Sequence, residues 1–477
     1  MFSMIIALSK AALTLSAYQA ACRCCSALGT LLPSWPDWRL RRNGIITLTV
    51  KACVTRLGRT ASANVSIQTQ SLIALSFESR LRCIITPKSH HAVYKHFRIC
   101  LFFLSGAWPR QYPRTELNKL EFPDVSKQAL SKARQSIHPD LFLSLFNISV
   151  DLFYKQQPQR RTWNGYHLLA VDGSKIELPN SKSNFEFFGE ISTYPNPERR
   201  FTSGLASIIY DVLDDYIVHA SLSPYLASER TAAKEHIANL EALDIFTDNS
   251  IVIFDRGYYS EGTFRFFSER THLCLMRLKN NAKIVKNCKG DTISTLPGSP
   301  KLGTEDVKIR VVEVDLPNGT KEYLATNIFD PGITPSMFRE LYFYRWPIEV
   351  KYRELKTRLC LEEFSGATAV SIMQEFYINV LLSNLASLIK NEADNNLQIP
   401  AESANKHRYQ SNRSFIIGCL KGLLPKILCS IRKMACIDQL YKETLRTKGK
   451  VVPGRSYPRK KLKLVCREHF NNQKVAF

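Results

Sequence analysis

A mixed α/β fold with a β-rich insertion and helical flanking segments is what the sequence predicts, and three observations predict it. Two short apolar runs, His167-Leu-Leu-Ala-Val171 and Ser250-Ile-Val-Ile-Phe254, read as buried strands, and each ends at an aspartate, Asp172 and Asp255. Between them lie a strand pair, Ser203–Tyr210 and Tyr216–Leu222 around a turn at Asp214-Asp215, and a helix from Glu229 to Leu243. Short β-type pieces with Gly- and Pro-bearing turns then fill the stretch from Lys279 to Thr326. Strands that pair by hairpin before the helix exclude a simple parallel doubly wound sheet.

In chain order, residues 1–114 form a basic N-terminal region. Up to about residue 110 it contains two acids, Asp37 and Glu78, and no sustained period of 2 or 3.6. It reads either as an extension that the core does not require or as a basic DNA-binding domain. Cys22, Cys24 and Cys25 have no second pair or suitably spaced histidine to complete a tetrahedral metal site, so the 13 cysteines read as reduced thiols. The apolar opening has no preceding basic residue and is interrupted at Lys10, so it does not make a secretory leader. No window reaches the ~18 consecutive apolar residues of a membrane span, and a soluble cytoplasmic protein is expected.

Residues 115–160 form a helical segment. Its first helix starts near Val125 with Ser126 as cap, and its second runs from about Pro139 through Leu141, Leu145 and Leu152. Such a pair is either a DNA reader or a hairpin that supports its neighbour. Residues 161–278 carry the first part of the sheet, ending in a helix near Gly262–Arg270 and a strand near His272–Arg277. Residues 279–327 are the β-rich insertion, with Lys308–Val314 and Glu322–Thr326 as its clearest strands. Residues 328–400 open with a helix capped by Thr334, with Pro335 at its first position and a kink or restart at Pro347. Residues 401–477 are helical and then basic, ending in Arg455, Arg459, Lys460 and Lys461 as a surface strip that is either a solvated tail or a DNA contact.

With 45% hydrophobic and 22% charged residues the chain is not disordered in composition. Its formal net charge of +23 attracts polyanions, and DNA or RNA is the leading partner. Phosphodiester chemistry is well served by two hard cations, which a few carboxylates on a sheet and a helix can hold. Asp172 and Asp255 are placed for this if their strands are neighbours. An aspartate at a strand end is more often a turn former than a ligand, so the inference rests on the combination. Glu349 would complete the shell from a helix in which Tyr342, Glu349 and Lys356 fall at seven-residue steps, close to two turns, with Arg345 one turn before the glutamate. Arg345, Lys356 and Arg353 would hold flanking phosphates, and Tyr342 would bond a phosphate or stack on a base.

The four residues Tyr342, Arg345, Glu349 and Lys356 resemble the Tyr-x2-Arg-x3-Glu-x6-Lys motif of DDE-type insertion-sequence transposases. Asp172 in Val-Asp-Gly-Ser and Asp255 in Phe-Asp-Arg-Gly-Tyr match the first and second aspartates of that family, and the likeness covers roughly residues 115 to 465. The resemblance implies a ribonuclease H-like catalytic domain with a β-stranded insertion before the glutamate helix. It also implies two Mg²⁺ or Mn²⁺ ions on Asp172, Asp255 and Glu349, and cut-and-paste transposition of an element with terminal inverted repeats into target DNA. A homodimer on DNA in the bacterial cytoplasm, at the nucleoid, would do this work. A nuclease on the same fold that does not join ends, and an inactive DNA-binding relic, are the other two readings of the same residues.

Overall fold

The computed structural model describes residues 127–156, 160–192, 200–243, 249–270, 272–300, 303–316, 319–397, 409–429 and 433–451. The expectations for residues 1–114, the cap Ser126 and the basic strip Arg455, Arg459, Lys460 and Lys461 lie outside the described residues.

The elements are α1 (Lys127–Gln135), α2 (Asp140–Gln156), β1 (His167–Leu178), α3 (Lys182–Phe188), β2 (Ile191–Ser192), β3 (Arg200–Asp211) and β4 (Tyr216–Pro224). They continue with α4 (Glu229–Ala242), β5 (Ser250–Phe254), α5 (Glu261–Ser268), β6 (Leu273–Arg277), a 3₁₀ turn (Lys283–Asn287), β7 (Asp291–Leu296), β8 (Val307–Asp315) and β9 (Lys321–Thr326). The last are α6 (Pro335–Phe343), α7 (Trp346–Thr357), α8 (Ala369–Leu397), β10 (Tyr409–Ser411), α9 (Arg413–Cys429), α10 (Lys433–Arg446) and β11 (Lys448–Lys450).

One nine-stranded mixed sheet runs β2-β3-β1-β5-β6-β9-β8-β7, with β4 also on β3. β3 is antiparallel to β1 and β4, whereas β1, β5 and β6 are parallel. Helices flank this sheet, and the arrangement is that of a ribonuclease H-like core. Past the first pair, His167 and Ser250, β1 and β5 are apolar along their shared length because both faces are covered; Leu168, Ala170, Val171, Ile251, Val252, Ile253 and Phe254 are fully buried. The β-rich insertion does not stand apart. β9 pairs with β6 and brings β8 and β7 with it, so the insertion lengthens the central sheet.

The paired helices α1 and α2 are built into the core. Phe142, Leu145, Phe146, Val150 and Phe153 of α2 are buried, and Phe153 stacks on Tyr216 of β4 with ring centroids 4.1 Å apart. Arg134 of α1 is consumed by Glu375 and Gln374 of α8, at 2.7 and 3.1 Å. α8 itself is 29 residues long and is apolar enough to cross a membrane by length and composition, yet 94% of its most apolar window is buried inside the protein. Burial on every side removes the polar stripe that would have given it a helical period.

Behind α7 lies a buried charge cluster. Lys351, 3% exposed, places its ammonium 2.6 Å from Asp215 and 3.3 Å from Glu354. Arg413 of α9 donates to Glu354 at 2.8 Å and pairs with Asp215 at 2.5 Å. Ser383 and Ser387 of α8 complete the network. Asp215 adopts a left-handed conformation, φ +56°, in the β3–β4 turn, which an aspartate accepts more readily than most residues. This cluster fixes α7 against the turn, α8 and α9 at once.

Candidate active site

The parallel register of β1 and β5 sets Val171 against Phe254, so Asp172 and Asp255 follow abreast on strands that neighbour each other in the sheet. β1 does not end at Asp172 as the apolar run suggested but continues to Leu178 because it stays paired with β3, so Asp172 lies inside the strand opposite Ile208 while Asp255 follows the end of β5. Adjacent strands run ~4.8 Å apart, which sets the two positions side by side. The Gly173 N–H donates to Asp172 Oδ1 at 3.0 Å and fixes that side chain.

The helix that carries Glu349 restarts instead of bending. α6 stops at Phe343, and α7 begins at Trp346 with Pro347 in its first turn, where a missing N–H costs nothing. The expectation that Tyr342 shares one continuous helical face with Glu349 is thereby replaced by a junction, although Tyr342 still reaches the site. Its hydroxyl donates to Asp255 Oδ1 at 3.1 Å. Arg345, at the junction and 6% exposed, donates to Glu349 Oε1 at 2.5 Å, and its charge also acts on Asp172 and Asp255. The structure thus brings Asp172, Asp255, Glu349, Tyr342 and Arg345 together around one guanidinium.

Lys356 lies farther along α7, where it donates to Glu362 Oε1 at 2.9 Å and to the Lys175 carbonyl at 2.8 Å. Arg353 is exposed. One residue that sequence reasoning missed is Tyr352, whose hydroxyl lies 2.9 Å from the carbonyls of both Asp172 and Ala206. One turn after Glu349, this buried ring ties α7 to the backbone of β1 and β3 and so sets the rotation of the helix. The seven-residue motif spacing does not contain it, and nothing else in the local sequence marks it.

Among the described residues, no group of three or more His, Cys, Asp or Glu side chains stands close enough to hold a metal ion. Arg345 pairs with Glu349, and its charge also acts on Asp172 and Asp255. The donor chemistry fits a hard divalent ion, since carboxylate oxygens are its preferred ligands and Glu349, with its side chain 36% exposed, has room to change rotamer. Burial pushes the Asp172 carboxyl up to about 6, against the pull of Arg345 and the Gly173 N–H and with the push of Glu229 and Asp255. Tyr342 is also raised, by burial first and then by the charge of Asp255, and keeps its proton to donate.

The shift at Asp172 has a definite sign for stability. The folded carboxyl holds its proton more tightly than the unfolded one, whose reference value is 3.8. Ionising Asp172 therefore works against the metal-free fold: the penalty is absent below about pH 4, grows between about 4 and 6, and is complete above that window. Asp172→Asn is expected to stabilise the metal-free protein at pH 8 by about 2 kcal/mol and to leave it unchanged at pH 4. Melting curves in a chelator at the two pH values check this, and an equal shift at both would show that charge is not the cause.

A mixed sheet flanked by helices, with two aspartates on neighbouring strands and a glutamate-bearing helix packed against it, is a ribonuclease H-like arrangement. Residues 163–385 match the family described as the transposase DDE domain. The transposase InsG for insertion sequence element IS4 of Escherichia coli (strain K12) is 28% identical to it over 254 residues, which is 49% of this chain and 54% of that protein. The chain thus spans about half the length of the curated relatives it matches. Among solved structures, the piggyBac transposase synaptic complex with hairpin DNA is similar at 12% identity and a TM-score of 0.39, over 76% of this chain and 77% of that one. The Drosophila P element transposase strand transfer complex is similar at 11% identity and a TM-score of 0.21, over 78% and 86% respectively.

Proposed function

We propose that this chain is a DNA transposase that cleaves the ends of an insertion sequence and joins the freed 3′ hydroxyls to target DNA. The observation that carries the reading is the parallel register of β1 and β5, which sets Asp172 and Asp255 side by side beneath the Arg345–Glu349 pair of α7. Asp172, Asp255 and Glu349 would hold two Mg²⁺ or Mn²⁺ ions, which supply activation of the attacking oxygen and stabilisation of the leaving one.

The chain's own groups do the rest. Arg345 lies between the acids and, released from Glu349, offers its planar fork to a phosphate next to the one that reacts. Tyr342 holds Asp255 in place by a hydrogen bond, and Tyr352 holds the helix rotation that aims Glu349 at the sheet edge. Lys356 and the exposed Arg353 extend the positive track along α7. The basic tail residues Arg455, Arg459, Lys460 and Lys461 are proposed DNA contacts as well. The partners are the element's terminal inverted repeats and target DNA, engaged by a homodimer in the bacterial cytoplasm. The proposed division of the chain is the one given above, with residues 161–278 and 328–400 as the two catalytic parts around the 279–327 insertion.

A strand-transfer assay tests the reading. Labelled DNA carrying the ends that flank the gene is incubated with the protein, a second DNA and Mg²⁺. Joined product is expected; cleavage without joining would leave a nuclease, and neither would leave a relic.

Lys356 gives a second check. In the free protein it is bound to Glu362, so DNA must displace that carboxylate. Lys356→Ala should reduce the slope of log affinity against log salt by about 1, as expected for one lost phosphate contact. Glu362→Gln should instead tighten binding at low salt. An unchanged slope for the alanine variant would remove Lys356 from the DNA track.

A further inference from the structure

A fourth carboxylate, outside the three that the motif supplies, borders the same space. Glu229 is the first residue of α4, just after its cap Ser228. Its Cγ and Cδ lie 3.0 and 3.1 Å from where a Cβ on Gly173 would stand. Gly173 is not in a left-handed conformation, so its use here is space: without a side chain it lets Glu229 lie against β1 immediately beside Asp172. The next residue, Arg230, donates to the Gly257 carbonyl at 3.0 Å and ties the start of α4 to the turn that follows Asp255. Ser207 and His236, 2.8 Å apart and buried, anchor the same helix to β3. Glu229 is thereby held against β1, on a helix tied to the turn after Asp255.

An independent observation concerns Tyr258, in the turn after Asp255. Its side chain is 1% exposed, and its hydroxyl finds no hydrogen-bond partner among the described residues. The carboxylates whose charges reach that hydroxyl are Asp172, Glu229 and Asp255. A buried polar group left without a partner is costly, and its place among these three acids points to something that belongs between them. Charge points the same way. The buried guanidinium of Arg345 acts on Asp172, Asp255 and Glu349, while Glu229 adds a further negative charge beside Asp172.

We propose that Glu229 is a fourth ligand of this site and shares a divalent cation with Asp172, with the Tyr258 hydroxyl bonded to a water or oxygen on that cation. The inference rests on the metal-dependent reading above, and it adds a residue that the Tyr342-Arg345-Glu349-Lys356 motif does not contain. It assigns the glycine after Asp172 a role in metal binding, as the gap through which Glu229 reaches the site.

Calorimetric titration of Mn²⁺ into the purified full-length chain without DNA tests it. Wild type should bind, and Glu229→Gln should bind at least tenfold more weakly, while its melting temperature in chelator stays at or above that of wild type. Gly173→Ala, whose added methyl would push Glu229 away, should also weaken Mn²⁺ and serves as the test if Glu229→Gln does not fold. Undiminished Mn²⁺ affinity in Glu229→Gln or, in its place, in Gly173→Ala, alongside a loss in Asp255→Asn, would overturn the role of Glu229 and leave the three-acid reading standing. A wild-type chain that binds no Mn²⁺ would overturn both.

Discussion

Asp255→Asn is expected to lower DNA-end cleavage by roughly a thousandfold, about 4 kcal/mol of barrier, while leaving DNA affinity within a few-fold of wild type. The substitution keeps the shape of the side chain and an oxygen that can still accept from Tyr342, 3.1 Å away, so the turn after β5 should survive. What it removes is a negative charge abreast of Asp172, in a place where a cation would have to be held. Asparagine is neutral and a weaker ligand for a hard divalent ion, so the loss should appear in the chemical step and not in DNA binding. Single-turnover cleavage at saturating DNA separates the two. A rate within tenfold of wild type would take Asp255 out of the site.

What could be read from the sequence follows from how local each signal is. β5 was legible to the residue because a buried strand is a short apolar run with an acid after it. The pairing of Arg345 with Glu349 was legible because the two lie one helical turn apart in one stretch of chain. Tyr352 was not, because its meaning depends on the carbonyl of Asp172, 180 residues away in sequence. Glu229 is similar: on its own it is an acid in the first turn of a helix, which the helix dipole already explains. α8 showed a weak pattern because it is surrounded by the core, and a helix buried on all sides carries no polar face from which to read a period. The joining of the insertion to the sheet was hidden for another reason. The β6–β9 pairing is antiparallel and spans some fifty residues, so neither strand announces its partner.

Lys351→Met is expected to destabilise the fold by about 3–5 kcal/mol, since it breaks a buried ion cluster and leaves the other charges unbalanced. In the intact protein two cations, Lys351 and Arg413, face two anions, Asp215 and Glu354, and all four are bonded. Without the ammonium, one guanidinium must serve both carboxylates, of which Glu354 is buried and Asp215 partly so. Asp215 makes the sign of the pH dependence clear. Burial alone would raise its carboxyl, but Arg413 and Lys351 outweigh burial and hold it well below the ordinary range. Its contribution is therefore present above its unfolded value near 3.8 and is lost as pH falls toward the lower folded one. With Lys351 gone that depression shrinks, so acid unfolding of the variant should begin at a higher pH than in wild type. Urea denaturation at pH 7 and an acid titration of the melting temperature measure the two effects. Adding Asp215→Asn should recover part of the loss, because it removes the carboxylate that Lys351 balanced. A loss below about 1 kcal/mol, or no recovery in the double variant, would mean that the cluster does not hold α7. The same helix carries Glu349 on its other side, so the stability of this cluster and the aim of the proposed catalytic glutamate are set by one element.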